Sequence, residues 1–414
     1  MIKIDVKKHE SLIGALGNVM EWYDFALVMP MLVVLMGKFF PSNASEWVKV
    51  LGGLIVSMGL FARPLGALIF GPIGDKFGRQ KAISISILLM AIPTVLMGIL
   101  PGYDQIGVWA PILFTFFRIL QGISMGGEYT AAMVHIVEKA PSNRRGFYGS
   151  WTDAGNQIGV MLAAQSVVLL HYFFSEGEVY SFAWRIPFLF GILLVPFAFL
   201  IPKQEKKKAD SQKNQKKSIL EMFIEHKKEV FCTVSITAFS AVSFYTLWTF
   251  LPEYLVTKGI LSLKEAAFCG AAASIVSMVS ILAAGYLSDV FNRKLFLSIG
   301  MVGVLFASVY TFFSQASSYY FWLIMQLAMG FFLGVYYSCR AAFFAEAFPK
   351  EVRCTAVSVS LSVAQAVFGG LTPVVMVWVV GGSPYLAILP IAVVSIWALF
   401  SLCLLKDRTG KEFM

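Results

Sequence analysis

Long apolar stretches alternate with shorter polar segments along almost the whole chain. Each apolar stretch is about 20 residues long, which is the length of helix that crosses a bilayer core about 30 Å thick. The pattern predicts an all-α membrane protein with twelve transmembrane helices. The predicted spans are centred near residues 25, 60, 90, 122, 158, 192, 243, 275, 304, 333, 366 and 395.

A polar segment divides the predicted spans into two sets of six. It begins after Pro202 with KQEKKKADSQKNQKKS and continues into SILEMFIEHKK, a candidate for a short helix lying along the membrane surface. The sequence therefore predicts an N-terminal six-helix bundle over residues 1–201, a cytoplasmic basic linker over 202–229, and a C-terminal six-helix bundle over 230–414.

The two sets of spans repeat the same motifs. GPIGDKFGRQK at 71–81 aligns with GYLSDVFNRKL at 285–295, at a constant offset of 214 (285 minus 71). A second alignment runs at an offset of 208 (330 minus 122). Two six-helix bundles in parallel repeat resemble the architecture of major facilitator transporters, which hold substrate between the bundles near the bilayer midplane. The second alignment pairs Gly122, Gly126, Glu138, Pro141, Arg145, Ser150 and Gln157 with Gly330, Gly334, Glu346, Pro349, Arg353, Ser358 and Gln365.

The composition and the placement of charge agree with a membrane protein. Hydrophobic residues make up 58% of the chain and charged residues 14%, whereas soluble domains are about 45 to 50% apolar. The net charge is +9, but the Lys and Arg residues crowd alternate loops, in agreement with the positive-inside rule. Both termini are therefore expected in the cytoplasm. The lipid bilayer is the expected partner, and no nucleic-acid partner is expected.

Neither the cysteines nor a hydrolase-like pattern indicates an enzyme. The five cysteines are scattered and show no metal-ligand spacing, so no metal ion and no cofactor are expected. GISMG at 122–126 satisfies the G-x-S-x-G pattern, but that motif needs a strand-to-helix turn, and Ser124 is predicted in the middle of a helix. The repeat copy GFFLG keeps both glycines, which favours close helix packing as their role.

Charged residues lie inside the predicted spans of the N-terminal half. An ionised group at the bilayer centre costs about 2.5 to 3.5 kcal/mol on insertion scales, so such groups face the bundle interior or a wet cavity. Four acids share two guanidiniums, so at least one acid is expected to lack a full partner and to carry a proton. A static network that holds the bundle together is the alternative. The acids are Glu21, Asp24, Glu128 and Asp153, and the cations are Arg63 and Arg118.

Glu21 and Asp24 are three positions apart, which places them on one flank of the first span, and this pair is favoured as the proton-coupling site. Arg118 is expected either to be the counterion of these carboxylates or to anchor a substrate carboxylate. Arg340, the embedded cation of the C-terminal half, is expected to bind a substrate carboxylate or to pair with Glu346.

The C-terminal half has polar and aromatic residues at positions where the N-terminal half has charged ones. By the offset of 208, Gln326 stands in place of Arg118, and Tyr336 in place of Glu128. An aromatic and hydrogen-bonding wall is predicted there, because ring faces stabilise the cationic groups of ligands. Ordinary helix packing is the alternative for each aromatic residue. Further candidates for substrate contact are Asn156, Gln157, Phe244, Tyr245, Trp248 and Gln365.

Three motifs together indicate a narrower family. GNVMEWYDF at 17–25, ARPLGALIFGPIGDKFGRQK at 62–81 and RILQGISMGGEYTAA at 118–132 resemble the metabolite:proton symporter family of the major facilitator superfamily. The likeness covers essentially the whole chain. It implies proton-coupled symport of a small polar metabolite, such as an organic acid, a betaine or an amino acid, by alternating access in a bacterial inner membrane. It also implies that the protein functions as a monomer.

The resemblance further implies a gate on the cytoplasmic side, because the GPIGDKFGRQK loop latches the outward-open state in the superfamily. A carboxylate there can bond to a neighbouring helix N-terminus. The second copy departs from the motif, since Asn292 replaces Gly78. The predicted gate residues are Asp75, Arg79, Asp289, Arg293, Glu138 and Glu346.

Two other functions remain open at the level of sequence. Duplication does not specify the direction of transport, so a proton-driven exporter or antiporter is the first alternative. A receptor on a transporter scaffold is the second, and a large soluble signalling domain would favour it. The fifth span, which contains TDAGNQIG, is more polar than the resemblance implies, and the sequence does not identify the metabolite.

Overall fold

The computed structural model of the chain describes residues 17–41, 46–193, 219–314 and 318–413. The predicted basic linker lies outside the described residues as far as residue 218. The described part of the N-terminal half is helical. Its helices are α1 (17–26), α2 (Leu32–Phe39), α3 (Glu46–Phe77), α4 (Arg79–Ile99), α5 (Tyr103–Ile106), α6 (Trp109–Lys139), α7 (Arg145–Phe173), α8 (Glu176–Glu178) and α9 (Arg185–Leu189).

The C-terminal half is also helical where it is described, and two of its long helices contain a stretch of wider π-helix. These stretches are Thr246–Phe250, after α11, and Gln365–Gly369, after α16. The helices are α10 (Ile219–Glu225), α11 (Lys227–Tyr245), α12 (Leu251–Thr257), α13 (Leu263–Leu287), α14 (Arg293–Phe313), α15 (Tyr319–Ala347), α16 (Arg353–Ala364), α17 (Gly370–Gly382) and α18 (Ile388–Leu404).

Several helices have the dimensions of membrane spans. Within the described ranges, seven stretches are both long and apolar enough to cross a bilayer. They are Arg79–Ile99, Lys227–Thr257, Leu263–Leu287, Arg293–Phe313, Tyr319–Ala347, Arg353–Met376 and Tyr385–Leu404.

The first predicted span is not one continuous helix. A turn over residues 27–31 separates α1 from α2, and Pro30 lies within it. Proline has no backbone N–H and its ring clashes with the preceding helical turn, so it interrupts the hydrogen-bond ladder. Met29 N donates to Ala26 O at 3.2 Å and Leu32 N donates to Met29 O at 3.1 Å, so the chain here makes bonds between residues three apart, which wind it more tightly than a regular α-helix. The carboxylates of α1 therefore lie just before a break.

The described chain forms two compact units. Unit 1 contains the described residues of Met1–Ala132 and Gly155–Lys216, and unit 2 contains those of Met133–Ala154 and Lys217–Met414. The sequence assigned residues 133–154 to the N-terminal bundle, because they continue α6 into α7. They pack with the C-terminal half because their charged and backbone polar groups bond to it, as described below.

The duplicated glycines serve the same purpose in both units. In unit 1, a Cβ on Gly122 would lie 2.0 Å from the carbonyl oxygen of Gly59, and one on Gly126 would lie 2.1 Å from that of Arg63. In unit 2, a Cβ on Gly330 would lie 2.6 Å from the carbonyl oxygen of Ala273. Each pair of helices is thus in backbone contact, which only glycine permits.

The GISMG motif therefore packs two helices together and does not form a hydrolase nucleophile turn. Ser124 lies inside the long helix α6, and its hydroxyl donates to the backbone oxygen of Ser86 at 2.6 Å. The strained turn that a hydrolase nucleophile needs is not present at this position. The prediction that these glycines pack helices together is confirmed.

Candidate functional site

Two carboxylates of α1 are completely buried. Glu21 and Asp24 each have 0% of their surface exposed. Helix α7 packs directly against α1 at Gly159, where a Cβ would lie 2.3 Å from the carbonyl oxygen of Val19 and 2.9 Å from the backbone nitrogen of Tyr23. Close packing therefore holds both carboxylates inside unit 1 instead of at its lipid-facing surface.

A chain of hydrogen bonds leads from Arg118 to the surroundings of Asp24. Arg118 Nη1 donates to Gln121 Oε1 at 2.8 Å, and Gln121 Nε2 donates to Thr94 Oγ1 at 2.7 Å. Thr94 lies beside Asp24, and Arg118 Nη1 also lies 3.3 Å from the carbonyl oxygen of Phe25. The guanidinium thus reaches the α1 backbone next to the carboxylate. The sequence did not identify Gln121 or Thr94, although Gln121 lies in the RILQG motif.

Glu21 has a different cation beside it. The charge of Arg63 acts on Glu21, and the Arg63 guanidinium lies 5.9 Å from the centre of the Trp22 ring. Glu128 is 1% exposed and is close enough for its charge to interact with those of Glu21 and Asp24. Unit 1 therefore contains three buried carboxylates whose charges interact, and two buried guanidiniums, of which that of Arg63 acts on Glu21.

Asp153, the fourth predicted acid, belongs to unit 2. It forms an ion pair with Arg340, and both side chains are nearly fully buried. Arg340 Nη1 lies 3.4 Å from Ser240 Oγ, and its guanidinium lies 4.7 Å from the centre of the Tyr337 ring. One of the two predictions for Arg340 was an ion pair with Glu346. Glu346 pairs instead with Arg145 and Arg293.

The two π-helical stretches of unit 2 carry predicted contact residues. Trp248 lies in the first stretch, and its indole N–H donates to Ser274 Oγ at 2.7 Å. Gln365 begins the second stretch, and a Cβ on Gly369 would lie 2.8 Å from the Tyr245 ring and 3.2 Å from Gln365 Oε1. Tyr245, Gln365 and Gly369 therefore converge. Single-turn π-helices are frequent at functional sites, and no sequence signal indicated them.

The remaining predicted contact residues divide between the units. In unit 2, Tyr336 is fully buried and donates its hydroxyl to the carbonyl oxygen of Ile236 at 2.7 Å, so it packs α15 on α11. Gln326 is 0% exposed, and neither of its amide atoms has a hydrogen-bond partner among the described residues. In unit 1, Asn156 and Gln157 are buried on α7, one turn before Gly159.

Three predicted gate residues of unit 2, Glu138, Arg293 and Glu346, form one charged cluster with Arg145 and Arg353, which the sequence had not assigned to the gate. Arg145 Nη1 lies 3.2 Å from Glu346 Oε1, and Arg353 Nη1 lies 2.8 Å from Glu138 Oε1. These four residues are two duplicated pairs, and each arginine bonds to the glutamate of the other copy. Arg293 pairs with Glu346 as well. We refer to Glu138, Arg145, Arg293, Glu346 and Arg353 as the gate cluster.

Asp289 adds a helix cap beside this cluster. Its two carboxylate oxygens accept the backbone N–H groups of Gly146 at 2.7 Å and Phe147 at 2.8 Å. Both N–H groups belong to the first turn of α7, where an anion is favoured. Asn292, which stands in place of Gly78, caps α14 in the same loop by accepting from Lys294 N at 2.8 Å. Asp289 also pairs with Arg293 at 3.3 Å, and in unit 1 the corresponding residues Asp75 and Arg79 form the same ion pair.

Comparison with known proteins identifies the chain. Residues 11–229 match the profile of the family described as Sugar (and other) transporter, and residues 233–413 match that of the Major Facilitator Superfamily. The chain belongs to this transporter family of the major facilitator superfamily. It is therefore a multi-pass membrane protein and a secondary transporter of small metabolites, not an enzyme.

Relatives in bacteria cover most of the chain. The chain is 32% identical to the glycine betaine/proline/ectoine/pipecolic acid transporter OusA of Dickeya dadantii (strain 3937), over 96% of this chain and 83% of the relative. It is 32% identical to the proline/betaine transporter of Escherichia coli (strain K12), over 89% of this chain and 77% of that protein. A putative proline/betaine transporter of Staphylococcus aureus (strain COL) is 31% identical, over 91% of this chain and 83% of that protein.

Solved structures share the fold. The proton:xylose symporter XylE matches with a TM-score of 0.77 at 18% identity, over 98% of this chain and 97% of that one. The transporter FucP in the outward conformation matches with a TM-score of 0.71 at 17% identity, over 94% of this chain and 98% of that one. The prediction of a twelve-helix major facilitator fold is confirmed.

Proposed function

We propose that this transporter takes up a small zwitterionic solute together with protons. The observation that carries the proposal is the set of three buried carboxylates in unit 1, Glu21, Asp24 and Glu128, which outnumber the buried guanidiniums of Arg63 and Arg118. Buried acids in excess of their cations are a means of binding protons inside a membrane. The location would be a bacterial inner membrane, with both termini in the cytoplasm and the monomer as the working unit.

Two observations support this substrate class: the solutes that relatives are named for, and the side chains that unit 2 contains. Betaines and proline carry a carboxylate and a cationic nitrogen, and relatives are named as their transporters. Unit 2 offers a guanidinium on Arg340 and aromatic rings on Tyr245 and Trp248. A guanidinium binds carboxylates in a fork geometry, and aromatic faces stabilise a quaternary or secondary ammonium group.

The ion pair between Arg340 and Asp153 can be exchanged for a pair between Arg340 and the substrate carboxylate. A zwitterion that offers its carboxylate to Arg340 takes over the role of Asp153, so the charge of the guanidinium stays compensated. Arg118 is the second candidate anchor, because its bonds to Gln121 and to the carbonyl of Phe25 place a guanidinium beside Asp24.

The proposal is tested with purified protein in proteoliposomes. We expect an inward proton gradient to drive accumulation of labelled glycine betaine or proline, and a protonophore to abolish it. Xylose in place of the zwitterion, under the same gradient, is the matched substrate control. Loss of preloaded solute in response to an inward proton gradient would instead identify an antiporter. Accumulation of xylose without the zwitterions would overturn the substrate class and leave coupling intact.

A further inference from the structure

The segment after the last helix folds back onto the gate cluster. We refer to residues 405–413, which follow α18, as the tail segment. Its first part is fixed to the start of α14, where Asp407 Oδ2 accepts Lys294 N at 3.1 Å and Thr409 Oγ1 accepts Arg293 N at 3.3 Å. Asp407 Oδ1 also accepts Thr409 N at 2.7 Å, which stabilises the turn. The tail segment is thus anchored to the C-terminal half.

The second part of the tail segment reverses direction and reaches α7. Gly410 has a φ of 73°, a conformation that glycine adopts without strain, and Lys411 N donates to Arg408 O at 3.0 Å across the turn. The carbonyl oxygen of Lys411 then accepts Arg145 Nη1 at 2.6 Å. The tail segment therefore binds both α14 and the first residue of α7.

Phe413 completes the contact. Its ring centre lies 3.6 Å from the guanidinium of Arg145 and 3.9 Å from that of Arg353. These two arginines occupy equivalent positions in the duplicated halves, and they form the crossed ion pairs with Glu346 and Glu138. One aromatic ring therefore lies against both duplicated arginines of the gate cluster.

We propose that the tail segment is a strap that holds the gate cluster closed, with Phe413 as its positioning residue. Alternating access requires the duplicated arginines to separate when this end of the carrier opens. Phe413 can then remain against at most one of them, because Asp407 and Thr409 fix the strap to α14. A contact made only in the closed state shifts the population toward that state. The inference rests on alternating access, and it does not depend on the proposed substrate or coupling.

Cys354 is a reporter for the closed state. It is fully buried, follows Arg353 directly, and lies in the first turn of α16. A background in which Cys232, Cys269, Cys339 and Cys403 are replaced by serine or alanine leaves it as the single thiol. The experiment measures the rate at which a water-soluble maleimide labels Cys354 in the detergent-purified full chain. Neither substrate nor a proton gradient is present, so a failure of the proposed function leaves the result interpretable.

Substitutions of Phe413 and Asp407 distinguish a segment that holds the gate cluster closed from one that only packs against it. Phe413→Ala should raise the Cys354 labelling rate about fivefold, since a cation–π contact at a partly exposed site is worth up to about that factor. Phe413→Tyr, which keeps the ring, should label at the rate of the background protein, and Phe413→Leu should behave like Phe413→Ala. Asp407→Ala, which releases the other anchor, should also raise the rate.

Thermal melting of each variant controls for damage to the fold. A labelling rate in Phe413→Ala equal to that of the background protein would overturn the strap. A lowered melting temperature with no change in labelling would also overturn it and assign Phe413 a packing role.

Discussion

Arg340 and Asp153 form a buried ion pair although 187 positions separate them in the chain. The pair joins α15 to α7 inside unit 2, and each side chain is expected to stabilise the other. Removing one partner from such a pair leaves an uncompensated buried charge, which costs about 3 to 5 kcal/mol.

Arg340→Gln and Asp153→Asn should each lower the thermal stability of the purified protein. The double variant should be less destabilised than the sum of the two single variants, because it removes both charges. Melting temperatures of wild type and the three variants test this, with Glu176→Gln, an exposed carboxylate, as the control. Additive effects would show that the two side chains do not interact.

Neutral isosteres of the α1 carboxylates should separate coupling from transport. Asp24→Asn and Glu21→Gln imitate the protonated acids, so uptake driven by a proton gradient should collapse in both. Substrate counterflow at equal pH should survive in part, because it needs no net movement of protons. Glu176→Gln is again the control. If both variants still concentrate substrate as wild type does, the coupling acid must be sought at Glu128.

The glycine contact between α3 and α6 should not tolerate a methyl group. Gly122→Ala should reduce the yield of folded protein or its melting temperature, because the new Cβ meets backbone that cannot move aside. Gly270→Ala is the matched control, since a Cβ at that helical position meets nothing within 4 Å. The control should be neutral or more stable by about 0.4 to 1 kcal/mol. Equal effects of the two substitutions would contradict the close approach.

The cap that Asp289 provides should contribute to closing the gate cluster. Asp289→Asn keeps one acceptor but loses the charge at the α7 N-terminus, so a cost of about 0.5 to 2 kcal/mol is expected. The measurement is Cys354 labelling in the single-thiol background, which should become faster. Asp104→Asn, in the exposed helix α5, is the control and should leave the rate unchanged.

Docking of the tail segment should not vary between about pH 5 and pH 8, the range well above the ordinary Asp pKa of about 3.9. Burial favours neutral Asp407, but hydrogen bonds from Thr409 and the Lys294 N–H, with the Arg293 charge, outweigh it and lower its pKa. A lowered pKa means that the stabilisation is present above the unfolded value and is lost as pH falls through the folded one. Cys354 labelling, corrected for thiol ionisation with a model thiol, tests this. A corrected rate that rises from pH 8 to pH 5 would contradict it.

The sequence by itself determined the fold class and the kind of residue at the site. Apolar stretches of bilayer length require helices, because lipid offers no hydrogen bonds to the backbone. The duplication placed glycines at corresponding positions, and close packing of Gly122 against Gly59 follows from their lack of a side chain. Charges inside apolar stretches must be buried together, so Glu21, Asp24 and Arg118 were identifiable in advance.

Only the tertiary structure decided which charges meet. Asp153 was counted among the acids of the N-terminal half, yet it pairs with Arg340, because residues 133–154 pack in unit 2. The crossed pairing of the duplicated arginines and glutamates, and the return of Phe413 onto Arg145 and Arg353, likewise depend on contacts between distant segments. Periodicity and local propensity report the environment of a residue along its own helix. They carry no information about which distant side chain will occupy the facing position.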